Sequence, residues 1–270
     1  MPDNDRSLAA FVDFENLALG FQGRRERFEI VKVLERLVEK GKIVAKKAYA
    51  DWSRFAAYTG PLHEAAIELI EIPRRGQSGK NSADIRLCVD AMDLAYSKDH
   101  IDTFVVVSGD SDFSPLVAKL KENGKRVIGL GMRASTSPLL ANGCDEFIYY
   151  EDLQYEEPEA ESAEPNRSER RSAPDREEAF RLLADTVRAL QRENFEVIQA
   201  SLVKDTMKRK RPAFSEAALG YGSFSELLED AQRTSVVTLR RDDRSGTYVV
   251  TAVASAPRRR RRRAAEPATR

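Results

Sequence analysis

Short apolar runs alternate with amphipathic stretches over the first 150 residues of this chain. Residues 8–14 are apolar except at Asp13 and read as a buried strand. Residues 28–40 place Ile30, Val33, Leu34, Leu37 and Val38 at helical spacing, and Gly41 ends that stretch. Residues 43–50 predict a second strand and 66–72 a short third one. Residues 83–96 predict a helix. The run 103–107 is continuous and rich in β-branched side chains, as a central strand would be. Ser114-Pro115 then predicts an N-cap with proline at the first helical position, and Asn123-Gly124 stops that helix. Residues 126–130 and 146–150 complete the sheet. The alternation predicts an α/β fold, a three-layer Rossmann-like domain with a mostly parallel sheet.

Beyond residue 150 the pattern changes. Residues 153–175 are rich in Glu, Pro, Ser and Arg and nearly empty of large apolar side chains, which predicts an acidic disordered linker. Residues 176–192 are amphipathic, with Phe180, Leu183, Val187 and Leu190 on one face. A second helix is expected over 198–207 and a third over 223–231, where Ser223 and Glu226 have capping-box spacing. Residues 236–240 and 247–251 flank a polar turn and read as a hairpin. Three helices and a hairpin suggest a winged helix-turn-helix over 176–253. Residues 254–270, with six consecutive arginines from Arg258 to Arg263, read as a disordered tail.

The net charge of zero conceals an uneven distribution. Residues 151–175 carry 3 Lys/Arg against 9 Asp/Glu, and residues 257–270 carry 7 against 1. A basic tail of this kind points to a polyanionic partner. A chain of 270 residues suggests about two domains. No apolar run approaches the roughly 18 residues of a membrane span. The polar start shows no secretory signal. Cys88 and Cys144 stand far apart, which excludes a disulfide scaffold and a cysteine zinc site. A reduced, cytoplasmic protein is the expectation.

The chemistry concentrates in acids at strand ends. Asp13 lies at the end of the first strand, and Asp110 and Asp112 follow the fourth. Open parallel sheets bind ligands at the carboxyl ends of their strands. If strands one and four are neighbours, these acids converge. Asp84 opens a helix after the basic loop 74–80 and could fold over the same end. Clustered carboxylates stay ionised together when a cation lies among them. An all-oxygen ligand set suits Mg²⁺ or Mn²⁺, and the chemistry such ions serve is phosphodiester hydrolysis. Read separately, each Asp could instead be a turn or cap residue.

Three separated motifs carry a resemblance: Phe11-Val12-Asp13-Phe14-Glu15-Asn16, Lys80-Asn81-Ser82-Ala83-Asp84-Ile85-Arg86-Leu87-Cys88-Val89-Asp90-Ala91 and Val106-Val107-Ser108-Gly109-Asp110-Ser111-Asp112-Phe113. Together, over residues 7–152, they resemble an NYN domain of the LabA-like group. The resemblance implies a PIN-like fold and a metal-dependent ribonuclease. By it, Asp13, Asp84, Asp110 and Asp112 would form the acidic metal site, with Asn16 assisting near the metal or scissile phosphate. Asp90 also matches the pattern but lies six residues past Asp84, on another face of a regular helix. A salt bridge or cap explains it equally well. Residues 176–253 are similar to an OST-HTH/LOTUS domain on Gly220-Tyr221-Gly222-Ser223-Phe224-Ser225-Glu226-Leu227-Leu228 and the preceding basic helix, which implies RNA binding.

Arg74, Arg75 and Lys80, and the run Lys208, Arg209, Lys210, Arg211, are the candidate RNA-backbone contacts. The RNA could be single-stranded or structured; no membrane partner is expected, and oligomeric state stays open. Gly76 to Ser82 lacks Walker-loop spacing. A haloacid dehalogenase-type phosphatase would need Asp where Glu15 stands. Trp52 and Phe55 could stack on bases but suit a core better. The expected activity is metal-dependent RNA hydrolysis. A non-catalytic RNA-binding adaptor and a DNA-cutting nuclease are the alternatives.

Overall fold

The structure is a computed structural model that describes residues 6–21, 28–73, 81–154, 173–193, 197–241 and 247–253. Its central feature is a six-stranded parallel sheet. The strands are β1 (Ser7–Asp13), β2 (Lys42–Ala50), β3 (Glu68–Glu71), β4 (Thr103–Val107), β5 (Arg126–Gly131) and β6 (Glu146–Tyr149). Their order is β3-β2-β1-β4-β5-β6. The chain steps outward from β1 in one direction and outward from β4 in the other. The β1/β4 boundary is therefore the topological switch point, where a crevice opens beyond the strand ends. β1 and β4 are apolar almost throughout because both of their faces are covered.

Among the described residues, six helices cover the sheet: α1 (Phe14–Gly20), α2 (Ile30–Val38), α3 (Ala56–Glu64), α4 (Ser82–Ser97), α5 (Ser114–Glu122) and α6 (Pro138–Gly143). Phe14, Leu17, Phe28, Val33, Leu37, Trp52 and Leu62 fill one side of the sheet. Leu87, Ala91, Leu116, Val117, Leu120 and Leu140 fill the other. Two elements depart from the sequence pattern. Phe14 starts α1 rather than ending β1; an apolar side chain one place past Asp13 fitted the strand as well as the helix. α3 contains Gly60 and Pro61 and buries only Leu62, so it shows no helical stripe. The cap before α5 also moves. A 3-10 turn, Ser111–Phe113, precedes α5, and Asp110 caps it by accepting the Asp112 N–H at 3.0 Å. Ser114 is already helical, and its hydroxyl has no hydrogen-bond partner among the described residues.

Further along lie α7 (Ala173–Arg192), α8 (Ala200–Lys210), α9 (Phe224–Arg233) and the antiparallel pair β7 (Val237–Arg241) and β8 (Tyr248–Val253). Leu183, Val187, Val203, Met207, Phe224, Leu227 and Leu228 are among the side chains of their shared core. Ser223 caps α9 by accepting the Glu226 N–H at 3.3 Å, and Glu226 accepts the Gly222 N–H at 2.8 Å. The Ser223 half of the predicted capping box forms, while Glu226 reaches one residue further back, to Gly222 rather than to the N-cap itself. This region also meets the edge of the large sheet. The Phe147 N–H on β6 donates to the Pro212 carbonyl at 3.0 Å, and Ala213 packs against the α4–α6 side of the core. An edge-strand donor is thereby satisfied. The expected linker lies outside the described residues apart from its ends, and the tail 254–270 lies wholly outside them.

Candidate active site

β1 carries Asp13 to the carboxyl end of the sheet and buries it, leaving it 5% exposed. The chain turns at once into α1, so the Asn16 N–H donates to Asp13 Oδ1 at 3.2 Å. The neighbouring strand β4 runs into Ser108, whose hydroxyl donates to Asp13 Oδ2 at 2.9 Å. Ser108 Oγ also accepts the Asp110 N–H at 3.2 Å. The Asn16 side-chain oxygen accepts the Gly109 N–H at 3.0 Å. These bonds tie the end of β1 to the loop after β4 and set Asp13 and Asp110 on either side of one hydroxyl.

The loop after β5 supports the loop after β4. The Ser137 N–H donates to the Gly109 carbonyl at 2.8 Å. A Cβ on residue 109 would stand 2.7 Å from the Ser135 carbonyl oxygen. Glycine is needed here because two backbones meet without room for a side chain.

Asp84 lies in the first turn of α4. Its carboxyl is pushed up to about 6, chiefly by burial and then by the negative fields of Asp110, Asp112 and Glu15. Burial pushes the Asp13 carboxyl up to about 7. The hydrogen bonds from Asn16 and Ser108 oppose that shift, and the charges of Asp84 and Asp110 add to it. The structure thus brings Asp13, Asn16, Asp84, Asp110 and Asp112 to one end of the sheet. Among the described residues, no three Asp, Glu, His or Cys side chains stand close enough to enclose a metal ion on their own. The acids share a field rather than a ready-made cage.

Two contributors stand inside the quoted motifs but are not among the sequence-predicted site residues. Glu15 accepts the Asp51 N–H at 3.2 Å, meets Arg54 Nη1 at 3.2 Å and adds to the field at Asp84. Ser108 is fully buried between two acids. It lies inside the third motif, where the sequence alone assigns it no role. Asp90 points elsewhere. Tyr49 donates its hydroxyl to Asp90 Oδ2 at 2.9 Å, Arg86 Nε donates to Oδ1 at 3.0 Å, and Lys47 Nζ lies 3.7 Å away. Asp90 therefore anchors α4 to β2.

Among the described cationic candidates, Lys208, Arg209, Lys210 and Arg211 turn to different partners. The Lys208 ammonium is held below its usual range by burial, beside Glu146 and Lys40. Arg209 donates to the Thr206 hydroxyl at 3.2 Å, Lys210 to the Asp185 carbonyl at 3.3 Å, and Arg211 pairs with Glu178. Arg74, Arg75 and Lys80 lie outside the described residues. Trp52 is a core residue, buried against Phe14 with its indole N–H donating to the Ile70 carbonyl at 3.0 Å.

Two known proteins are similar to this chain in part. The uncharacterized protein MJ0482 of Methanocaldococcus jannaschii is 30% identical over 169 residues, which cover 60% of this chain and 63% of that protein. The chain thus spans less than two thirds of that relative's length. A crystal structure of a protein of unknown function, VPA0982 from Vibrio parahaemolyticus, is 25% identical and superposes with a TM-score of 0.49, covering 57% of this chain and 98% of that one. The family model of the NYN domain matches residues 7–152, more than half of the chain, and the chain belongs to the NYN domain family.

Proposed function

We propose that this chain hydrolyses RNA phosphodiester bonds with a divalent cation, Mg²⁺ or Mn²⁺, held among Asp13, Asp84, Asp110 and Asp112. The observation that carries the reading is the gathering of these carboxylates at the β1/β4 switch point, with Asp13 and Asp84 driven toward the neutral form. NYN domains are generally nucleases and typically depend on a divalent metal ion. Crowded carboxylates are costly alone and become favourable around a cation. The all-oxygen donor set fits Mg²⁺, which keeps several waters and takes one or two carboxylates together with substrate phosphates. A closed three-ligand cage is therefore not required. When bound, the ion would activate a water and stabilise the leaving oxygen. Ser108 and the Asn16 N–H orient the Asp13 carboxylate, and the Asn16 side chain holds the Gly109 loop that carries Asp110.

In the same reading, residues 176–253 are a winged-helix OST-HTH/LOTUS module that holds RNA, joined through 153–175 and followed by the basic tail 254–270. Support comes from the three helices followed by an antiparallel pair, and from a cleft of about 690 Å³ lined by Asp185, Arg188, Gln191, Arg192 and Lys210. A cytoplasmic location belongs to the proposal, supported by the free thiols of Cys88 and Cys144. No helix among the described residues is long and apolar enough to cross a membrane.

The test is cleavage of end-labelled single-stranded RNA and matched DNA with Mg²⁺, with Mn²⁺ and with EDTA, comparing wild type and Asp110→Asn. The expected result is metal-dependent cutting of RNA by wild type alone. Cutting of DNA in preference would change the substrate. Equal, salt-sensitive RNA binding by both proteins without any cutting would leave a non-catalytic adaptor.

A further inference from the structure

α4 is apolar on two sides. Leu87, Ala91 and Ala95 face the sheet and are buried. Ile85, Val89 and Tyr96 face outward and are 62%, 58% and 63% exposed, and half-buried Met92 continues their line. At 100° per residue, Ile85, Val89, Met92 and Tyr96 fall within an arc of about 60° and run about 17 Å along the helix. Their spacing of four, three and four is that of a helix-pairing seam. An outward seam of this kind usually marks an interaction surface.

The charges beside the seam say what fits it. Arg86 and Asp93 flank it on the same side, and both are exposed. When a second α4 is laid antiparallel so that Val89 packs beside Met92 of the other copy and Ile85 beside Tyr96, Arg86 comes opposite the other Asp93. Two-fold symmetry repeats that pairing at the other end. Arg86 gives its Nε to Asp90 in its own chain and keeps four further N–H donors. A parallel copy would instead place the two Arg86–Asp93 flanks on opposite sides of the seam, where Arg86 and Asp93 cannot pair across it. The seam is thus complementary to itself in one register.

We propose that α4 is a homodimerisation surface on which two copies of this chain pair antiparallel through Ile85, Val89, Met92 and Tyr96, keyed by Arg86 and Asp93. The two acidic ends remain open in this arrangement, because Asp84 lies off the seam toward the sheet. By helix geometry the two copies of Asp84 stand about 20 Å apart along the paired axes. The contact is small, so association belongs in the micromolar range. It is independent of whether the acids hydrolyse anything.

Sedimentation equilibrium of the full chain, from low micromolar to sub-millimolar concentration, tests the pairing. Wild type is expected to approach twice the chain mass of 30.4 kDa. Val89→Glu should stay at one chain mass while keeping its circular dichroism and melting temperature, since position 89 is exposed. Arg86→Glu and Asp93→Lys should each self-associate about tenfold more weakly than wild type, because each sets two like-charge pairs across the seam. Mixing those two variants should restore association, because both cross-pairs then become opposite in sign. A wild type that stays at one chain mass throughout overturns the proposal and leaves the seam to a different partner. A dimer that Val89→Glu leaves intact overturns it as well. A mixture no stronger than either variant alone refutes the antiparallel register.

Discussion

Asp13→Asn removes the most deeply buried charge at the site, and its effect on folding can be worked from the structure. Burial moves the carboxyl from its ordinary 3.8 to about 7. Each pH unit of displacement is about 1.4 kcal/mol between the ionised and neutral forms, so an ionised Asp13 costs the metal-free fold about 4 kcal/mol. The folded-state value is raised, so between 3.8 and about 7 the folded chain binds more protons than the unfolded one, and stability falls as pH rises through that window. Integrated from pH 5 to pH 8, Asp13 alone contributes a loss of about 2–3 kcal/mol. Asparagine keeps the shape and the acceptor for the Asn16 N–H, and its amide can donate to Ser108 Oγ. The variant should therefore gain on wild type by about 2–3 kcal/mol more at pH 8 than at pH 5. Urea unfolding of both proteins in EDTA across that range measures the difference. Taking the difference cancels the background from groups that do not feel Asp13, such as Asp152, whose carboxyl is also raised by burial. A gap that is constant with pH, or that narrows toward pH 8, would refute the assignment of that cost to Asp13. The same variant should lose metal-dependent cleavage, so stability and activity move in opposite directions.

Other outcomes follow from the same geometry. Ser108→Ala deletes the donor to Asp13 and the acceptor of the Asp110 N–H, and should cost about 1–3 kcal/mol in thermal or urea unfolding together with a drop in cleavage rate. Gly109→Ala forces a Cβ against the Ser135 carbonyl and should destabilise by about 1–3 kcal/mol while displacing Asp110; unchanged cleavage in that variant would mean that the loop position does not matter. Asp90→Asn weakens the anchor to Tyr49, Arg86 and Lys47, so it should lower the melting temperature yet cleave within a few-fold of wild type, unlike Asp110→Asn. A Mg²⁺ or Mn²⁺ ion held as proposed would have to displace protons from Asp13 and Asp84, so calorimetry in buffers of different ionisation enthalpy should show proton release below pH 7, with affinity falling as pH drops through about 7 and then about 6.

Much of the α/β layout was legible because it is written in local period. The continuous apolar runs of β1 and β4 mark strands covered on both faces, and the spacing over α2, α4 and α5 marks helices with one face inward. The candidate acids were legible because they stand at strand and helix ends. The short α1 and α3 were not, since one begins on an apolar side chain that fitted the strand as well and the other carries Gly60-Pro61 in place of a stripe. The cap before α5 was misplaced for a different reason. Ser114-Pro115 satisfies the local rule, but the 3-10 turn adds one more winding, and the Asp110 carboxylate reaches the open N–H first.

What the chain determined alone is therefore which segments are strand or helix and which residue types bring acid to their ends. Propensity, apolar period and capping act within a few residues of one another, so they can be read along the sequence. Tertiary structure alone decided that β1 lies beside β4, that Ser108 bridges Asp13 and Asp110 across 95 residues of sequence, and that Asp90 turns to Tyr49 while Asp84 joins the acids. Those outcomes depend on strand order, on the rotation of α4 against the sheet and on burial. Burial raises the carboxyl of Asp13 only once distant segments have closed around it and displaced water.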